Sequence, residues 1–221
     1  MTVREDTVRI PVGETQIAAT LRIPDGALGI VLFAHGSGSS RFSPRNRHVA
    51  TVLEEADLAT MLVDLLSEQE EKEDSRTGSL RFDIPLLADR LLAASMWLNL
   101  AGGTASLPLG YFGASTGAGA ALLAASQRPE LVRAVVSRGG RPDLAGKALR
   151  HVSAPTLLVV GERDTVVLDL NRRAAEELSA ECRFEIVPGA THLFEEPGAL
   201  DAAAALARDW FALHLIGRVA R

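Results

Sequence analysis

The sequence predicts an α/β fold: a mostly parallel central sheet with helices on both faces and an antiparallel hairpin at its N-terminal end. Three observations predict it. Two short, partly alternating stretches, Thr7–Val12 and Gln16–Ile23, are separated by Gly13-Glu14, the pattern of a hairpin. Downstream, short apolar runs alternate with longer segments of helical period, the rhythm of βα units. Several of those runs are apolar on consecutive residues, as strands buried on both faces must be.

The predicted strands after the hairpin are Ile30–Ala34, Ala59–Leu65, Leu107–Phe112, Ala134–Ser137, Thr156–Val160 and Arg183–Val187. Helical segments are expected at His48–Glu55, Arg81–Asn99, Ala118–Gln127, Asp143–Leu149, Leu168–Leu178 and Gly198–Leu215. Right-handed crossovers then gather the strand-to-helix loops at one edge of the sheet, where function concentrates in such folds. Ser67–Thr77 breaks the rhythm. It is a charge run without an apolar anchor, read as a solvated loop that could border the site. There is no repeat, linker or composition shift, so residues 1–221 are read as one domain, and only a short helix fits between Ser137 and Thr156, too little for a cap.

Composition excludes several classes. With 23 Lys+Arg against 28 Asp+Glu the net charge is −5, which disfavours nucleic acid or an anionic membrane as partner. A single cysteine, Cys182, rules out an intrachain disulfide and, with no clustered histidines nearby, a zinc site. Cys182 is read as a small apolar filler at a strand start. Charge within Met1–Asp6 stands where a signal peptide has its apolar run, and no apolar stretch reaches the ~18 residues of a membrane span. The expectation is a cytoplasmic protein. The last helical segment, with Trp210, Phe211, Leu213 and Leu215, is expected to pack on the sheet, leaving the oligomeric state open.

Chemistry enters at Gly113-Ala114-Ser115-Thr116-Gly117. Three small residues alone recur by chance, but these follow a buried strand and precede an Ala-rich helix, the strand–turn–helix setting of a nucleophile elbow. A serine hydroxyl needs a base, and the base needs an orienting acid. In an elbow architecture they follow in the order Ser, acid, His, each just past a later strand. Asp164 follows Thr156–Val160, and His192 follows Arg183–Val187. Glu162 is the rival acid. Among the other histidines, His48 and His214 lie in helical patterns and His151 precedes a strand, at the wrong edge. His35 precedes the elbow in the chain and reads as a loop brace. The glycine-rich turn His35–Ser40 follows an early strand and suits backbone donors for an oxyanion. Thr116 N–H is one expected donor and Ser37 N–H the other, with Gly38 as fallback.

Together, His-Gly-Ser-Gly, Gly-Ala-Ser-Thr-Gly, Gly-Glu-Arg-Asp and the final His-Leu-Phe resemble a small α/β-hydrolase of the dienelactone-hydrolase-like group, over about residues 17–216. The resemblance implies an uncapped α/β-hydrolase fold and cleavage of an ester or related acyl bond of a small molecule. Dienelactone hydrolases proper use a cysteine nucleophile, whereas this elbow carries Ser115; the departure favours generic carboxylester hydrolysis. The expected catalytic residues are Ser115, Asp164 and His192, with no metal or organic cofactor. Gly38, Arg41, Arg138 and Arg141 are expected at the substrate, the arginines as a rim that orients an anionic group; Arg45 and Arg47 lie on the same loops. Three alternatives compete. One is a non-catalytic binding protein on the same fold. Another is a peptidase, thioesterase or acyltransferase using the same residues. The third is a dinucleotide site at Gly36–Arg41 with Asp64, weakened by Arg41 where a third glycine belongs.

Overall fold

The computed structural model describes residues 2–217. Its sheet has eight strands, β1 (Val3–Val12), β2 (Thr15–Pro24), β3 (Gly29–Ala34), β4 (Leu58–Val63), β5 (Leu109–Ala114), β6 (Val132–Arg138), β7 (Thr156–Gly161) and β8 (Cys182–Val187). The spatial order is β1-β2-β4-β3-β5-β6-β7-β8. The β1–β2 hairpin is antiparallel and joins β4 antiparallel, and every later pairing is parallel. This is the predicted architecture. The order reverses between β3 and β5, and the crevice at such a switch point lies at the strands' carboxyl ends.

Helices cover both faces. Leu32, Tyr111, Val135 and Leu158 face Leu87, Leu91, Ala121 and Leu122, which belong to α3 (Ile84–Leu100) and α4 (Thr116–Gln127). Phe33, Phe112, Val136 and Val159 face Val49, Leu53, Ala207 and Phe211 of α1 (Pro44–Glu54) and α6 (Ala199–Phe211). Alternate residues of one strand thus feed opposite layers, which is why these strands are apolar throughout. The last helix packs on the sheet through Trp210, Phe211 and Leu215, whereas Leu213, expected with them, is exposed.

The charged segment departs from expectation. Glu68–Thr77 is a helix, α2, and its stability is electrostatic. Ser67 and Glu70 form a reciprocal capping box, Glu68, Glu70 and Glu71 occupy the positive first turn, and Gly78 at φ 67° closes the C-terminus. Buried Asp74 accepts from Leu80 N–H (2.7 Å) and Arg81 N–H (3.0 Å), and Glu70 binds Arg90 at 2.6 Å. A helix can therefore hold here with almost no apolar face.

Boundaries shift for local reasons. α1 begins four residues before His48, because Ser43 caps it and Pro44 suits the first helical position. Arg81 lies outside α3, in a 3₁₀ turn Leu80–Phe82, since Asp83 caps the helix that follows. β5 starts at Leu109 and runs on through the first glycine of the elbow. α5 (Thr165–Glu177) begins directly after Asp164. The expected helix at Asp143–Leu149 is a 3₁₀ segment Pro142–His151 broken at Gly146, and the last helix ends in a π turn, Ala212–Ile216. Among the described residues, no helix is long and apolar enough to cross a membrane.

Candidate active site

The loops after β3, β5, β6, β7 and β8 meet at one edge. Ser115 joins β5 to α4 at φ 51°, ψ −125°, a conformation that non-glycine residues seldom adopt and that marks a strained turn. Three backbone bonds fix it: Ser115 N–H to Arg138 carbonyl (3.4 Å), and Arg141 N–H (3.0 Å) and Ala118 N–H (3.1 Å) to Ser115 carbonyl. Gly117 is needed for contact. A Cβ there would stand 2.2 Å from the Ala34 carbonyl oxygen, so the elbow packs directly on the β3 loop.

Asp164 and His192 come together. His192 Nδ1–H donates to Asp164 Oδ2 at 2.6 Å, which fixes the tautomer and leaves Nε2 as the basic nitrogen. Asp164 is positioned by its N–H bond to the Gly161 carbonyl (3.0 Å), and the histidine turn is tied to β7's end by Arg163 N–H to Ala190 carbonyl (2.9 Å). Phe194, buried at φ 56°, closes that turn with its N–H on the Thr191 carbonyl at 3.2 Å. The elbow reaches the histidine through Gly139: a Cβ there would lie 3.6 Å from His192 Nδ1, one residue past the carbonyl that holds Ser115. Glu162, the rival acid, accepts from Gly189 N–H at 2.7 Å and braces the turn from its exposed side.

On the β3 side, a Cβ at Gly36 would touch Ser115 Cβ at 2.9 Å, so this loop borders the serine. Ser37 N–H donates to Thr116 Oγ1 at 2.8 Å, latching the loop to the residue after Ser115. Thr116 opens α4, where first-turn N–H groups lack intrahelical acceptors. His35 bridges two loops: its Nδ1–H donates to the Gly36 carbonyl (2.9 Å) and its Nε2 accepts from Leu65 N–H (3.2 Å). Burial holds its pKa below the ordinary value, against the opposing Gly36 bond and the Asp64 and Glu71 charges. A neutral brace fits that geometry.

The arginines of the expected rim are engaged within the protein. Arg41 is spent on Asp64, through its side chain and its N–H (2.7 Å), and lies over the Phe42 ring. Arg141 is bidentate to Asp143 at 2.8 and 2.7 Å, and that bond raises its pKa. Arg138 is buried on the α1/α6 face, because it shares strand period with Ala134 and Val136. Burial, with a lesser contribution from Arg45, lowers its pKa to about 10. Arg81, expected within a helix, also stands at this loop. Its Nε is held by Asp74 at 2.5 Å, and its Nη1 lies 3.8 Å from where a Gly38 Cβ would be. The available signal was the capping pattern Ser67-x-x-Glu70, which makes 68–77 a helix and so directs the turn after it.

A family model described as alpha/beta hydrolase domain matches residues 28–207. The chain belongs to the α/β-hydrolase family. It is similar over 96% of its length to a crystal structure of dienelactone hydrolase from Anabaena variabilis, with 60% identity, 99% of that chain covered and a TM-score of 0.95. The α/β-hydrolase here is thus dienelactone-hydrolase-like, as the motifs predicted. A cold-adapted esterase from an Arctic intertidal metagenomic library shares the fold at TM-score 0.76 and 16% identity, over 96% of this chain and 94% of that one. A curated Mycobacterium tuberculosis protein, provisionally named a phosphoribosyl transferase, is 56% identical over 97% of this chain. The chain spans about half the length of that relative, 47%.

Proposed function

We propose that this α/β-hydrolase cleaves the ester, or a related acyl, bond of a small anionic substrate through an acyl-enzyme on Ser115. The observation that carries the reading is the Asp164–His192 bond, made after β7 and β8 at the same sheet edge as a serine in an elbow conformation after β5. His192 Nε2 takes the proton from Ser115 Oγ as Oγ bonds to the substrate carbonyl carbon. The resulting oxyanion is met by backbone N–H groups of Thr116 and Ser37. Its collapse breaks the bond to the leaving alcohol, which receives the proton from His192. Water then repeats the sequence and releases the acid. Asp164 orients the ring and stabilises the imidazolium. Arg81, held by Asp74 through Nε and Nη2 with Nη1 toward Gly38, offers a cation for an anionic group beside Arg41 and Arg141, which are likewise paired to neighbouring carboxylates. We take residues 1–221 as one cytoplasmic hydrolase domain.

The transferase name belongs to a relative of which this chain matches 47%, and the α/β-hydrolase match over residues 28–207 favours the hydrolase reading. Two measurements test the reading. A fluorophosphonate should label wild type and not Ser115→Ala, and p-nitrophenyl acetate turnover should fall about 10³-fold or more in that variant. Hydrolysis at the wild-type rate by Ser115→Ala overturns the assignment.

A further inference from the structure

Among the described residues Arg138 is the one buried cation, and no carboxylate accompanies it. Its Nη2 donates to Asn46 Oδ1 at 3.3 Å, its Nε and Nη1 have no acceptor, and its central carbon stands 5.6 Å from the Phe194 ring centre. Burying an uncompensated charge is among the costliest things a fold can do. Nε and Nη1 are closed to solvent, so the guanidinium does not grasp a substrate with them.

Its position explains what it can do instead. Arg138 ends β6 in register with Ala114, the residue before Ser115, and its own carbonyl holds the Ser115 N–H. The next residue, Gly139, abuts His192. Asn46 is in the first turn of α1, directly after the loop that borders Ser115. Phe194 closes the His192 turn. One side chain therefore touches the segments that carry the oxyanion loop and the base, and its main chain holds the nucleophile. A fixed positive charge at that junction favours whatever negative charge appears there, with no reorganisation during reaction.

We propose that Arg138 is a positioning residue for acyl transfer: its buried, carboxylate-free guanidinium ties α1 to the His192 turn and lends an uncompensated positive field to the oxyanion formed at Ser115. The proposal rests on the ester-hydrolase reading. It acts on the transition state and not on ground-state binding, so it alters kcat and leaves KM nearly alone.

The test compares Arg138→Met and Arg138→Lys with wild type on p-nitrophenyl acetate, alongside inhibition by phenylboronic acid, which becomes a tetrahedral anion on the serine. Arg138→Met is expected to lose about 10- to 30-fold in kcat, with KM within about twofold and a similar loss of boronate affinity. Arg138→Lys, which keeps the charge without the planar fork, restores most of both. Equal losses in the two variants, or a parallel rise in KM, would assign Arg138 a purely structural part and overturn the proposal. So would an unchanged Arg138→Met. If Arg138→Met does not fold, Arg138→Gln, neutral but able to bond Asn46, carries the same comparison. A wild-type protein that neither hydrolyses the ester nor reacts with fluorophosphonate refutes the underlying reading first, a result separable from all of these.

Discussion

The two sides of the candidate site are built from different materials. From β5 to β8 main-chain bonds carry much of the scaffold, with side-chain braces such as Glu162 added: Ser115 to Arg138 and Arg141, Gly139 N–H to the Val159 carbonyl at 2.7 Å, Arg163 to Ala190. Contact is so close at Gly117 that no side chain fits. Around β4 and α2 the work falls to charged side chains: Arg41 on Asp64, Arg81 on Asp74, Arg90 on Glu70. Backbone bonds of this kind are indifferent to salt and unforgiving of added atoms. Ion pairs can be exchanged or screened, especially where they are partly exposed. Chemistry that tolerates little displacement thus sits on the first side, and the wall that would meet a variable substrate sits on the second.

That contrast can be broken in graded steps. Asp164→Asn should cost the most, about 10²- to 10⁴-fold in kcat on p-nitrophenyl acetate with the melting temperature little changed, because the ring loses its orienting acceptor. A smaller but global effect is expected from Gly117→Ala. Its methyl group must displace the Ala34 carbonyl, for about 1–3 kcal/mol of lost stability, read as a lower denaturation midpoint. Asp74→Asn should act on one side alone. Hydrogen exchange should quicken across residues 68–82 and stay unchanged at 113–117, while KM for anionic esters rises more than for neutral ones. Uniform exchange in both segments would erase the distinction between the sides. The smallest effect is the pH dependence of His35. Its folded pKa is depressed below the ordinary 6.5, so the unfolded chain binds the proton more readily. The stability contributed by the neutral ring is complete above pH 6.5 and is lost as pH falls from there through the folded value. His35→Gln should flatten the acid-side slope of stability below about pH 6.5, measured by urea midpoints.

The backbone-built side was the legible one. Strand ends are visible as the close of an apolar run, and the order Ser115, Asp164, His192 puts three residues at one edge of the sheet. The side-chain-built wall was legible only in part. Residues 68–77 have the composition of a loop, and the helix shows in the single pattern Ser67-x-x-Glu70, which hydropathy does not register. Arg138 and Arg81 failed for another reason. Which face a strand's last residue takes depends on register, and Arg138 followed Ala134 and Val136 inward. Arg81 is aimed by a carboxylate seven positions earlier that only a folded α2 brings near.

The Ser37–Thr116 latch has a consequence for selectivity. On the proposed mechanism the loop amide never waits empty: at rest it is satisfied by a hydroxyl, an acceptor about as strong as a neutral ester carbonyl. An arriving substrate that merely replaces one such acceptor with another gains little by the exchange. An oxygen bearing a full negative charge gains much more, since charge-assisted bonds are roughly twice as strong. Thr116 would then work as a threshold, a ligand carried by the protein itself, below which an oxygen passes unrecognised.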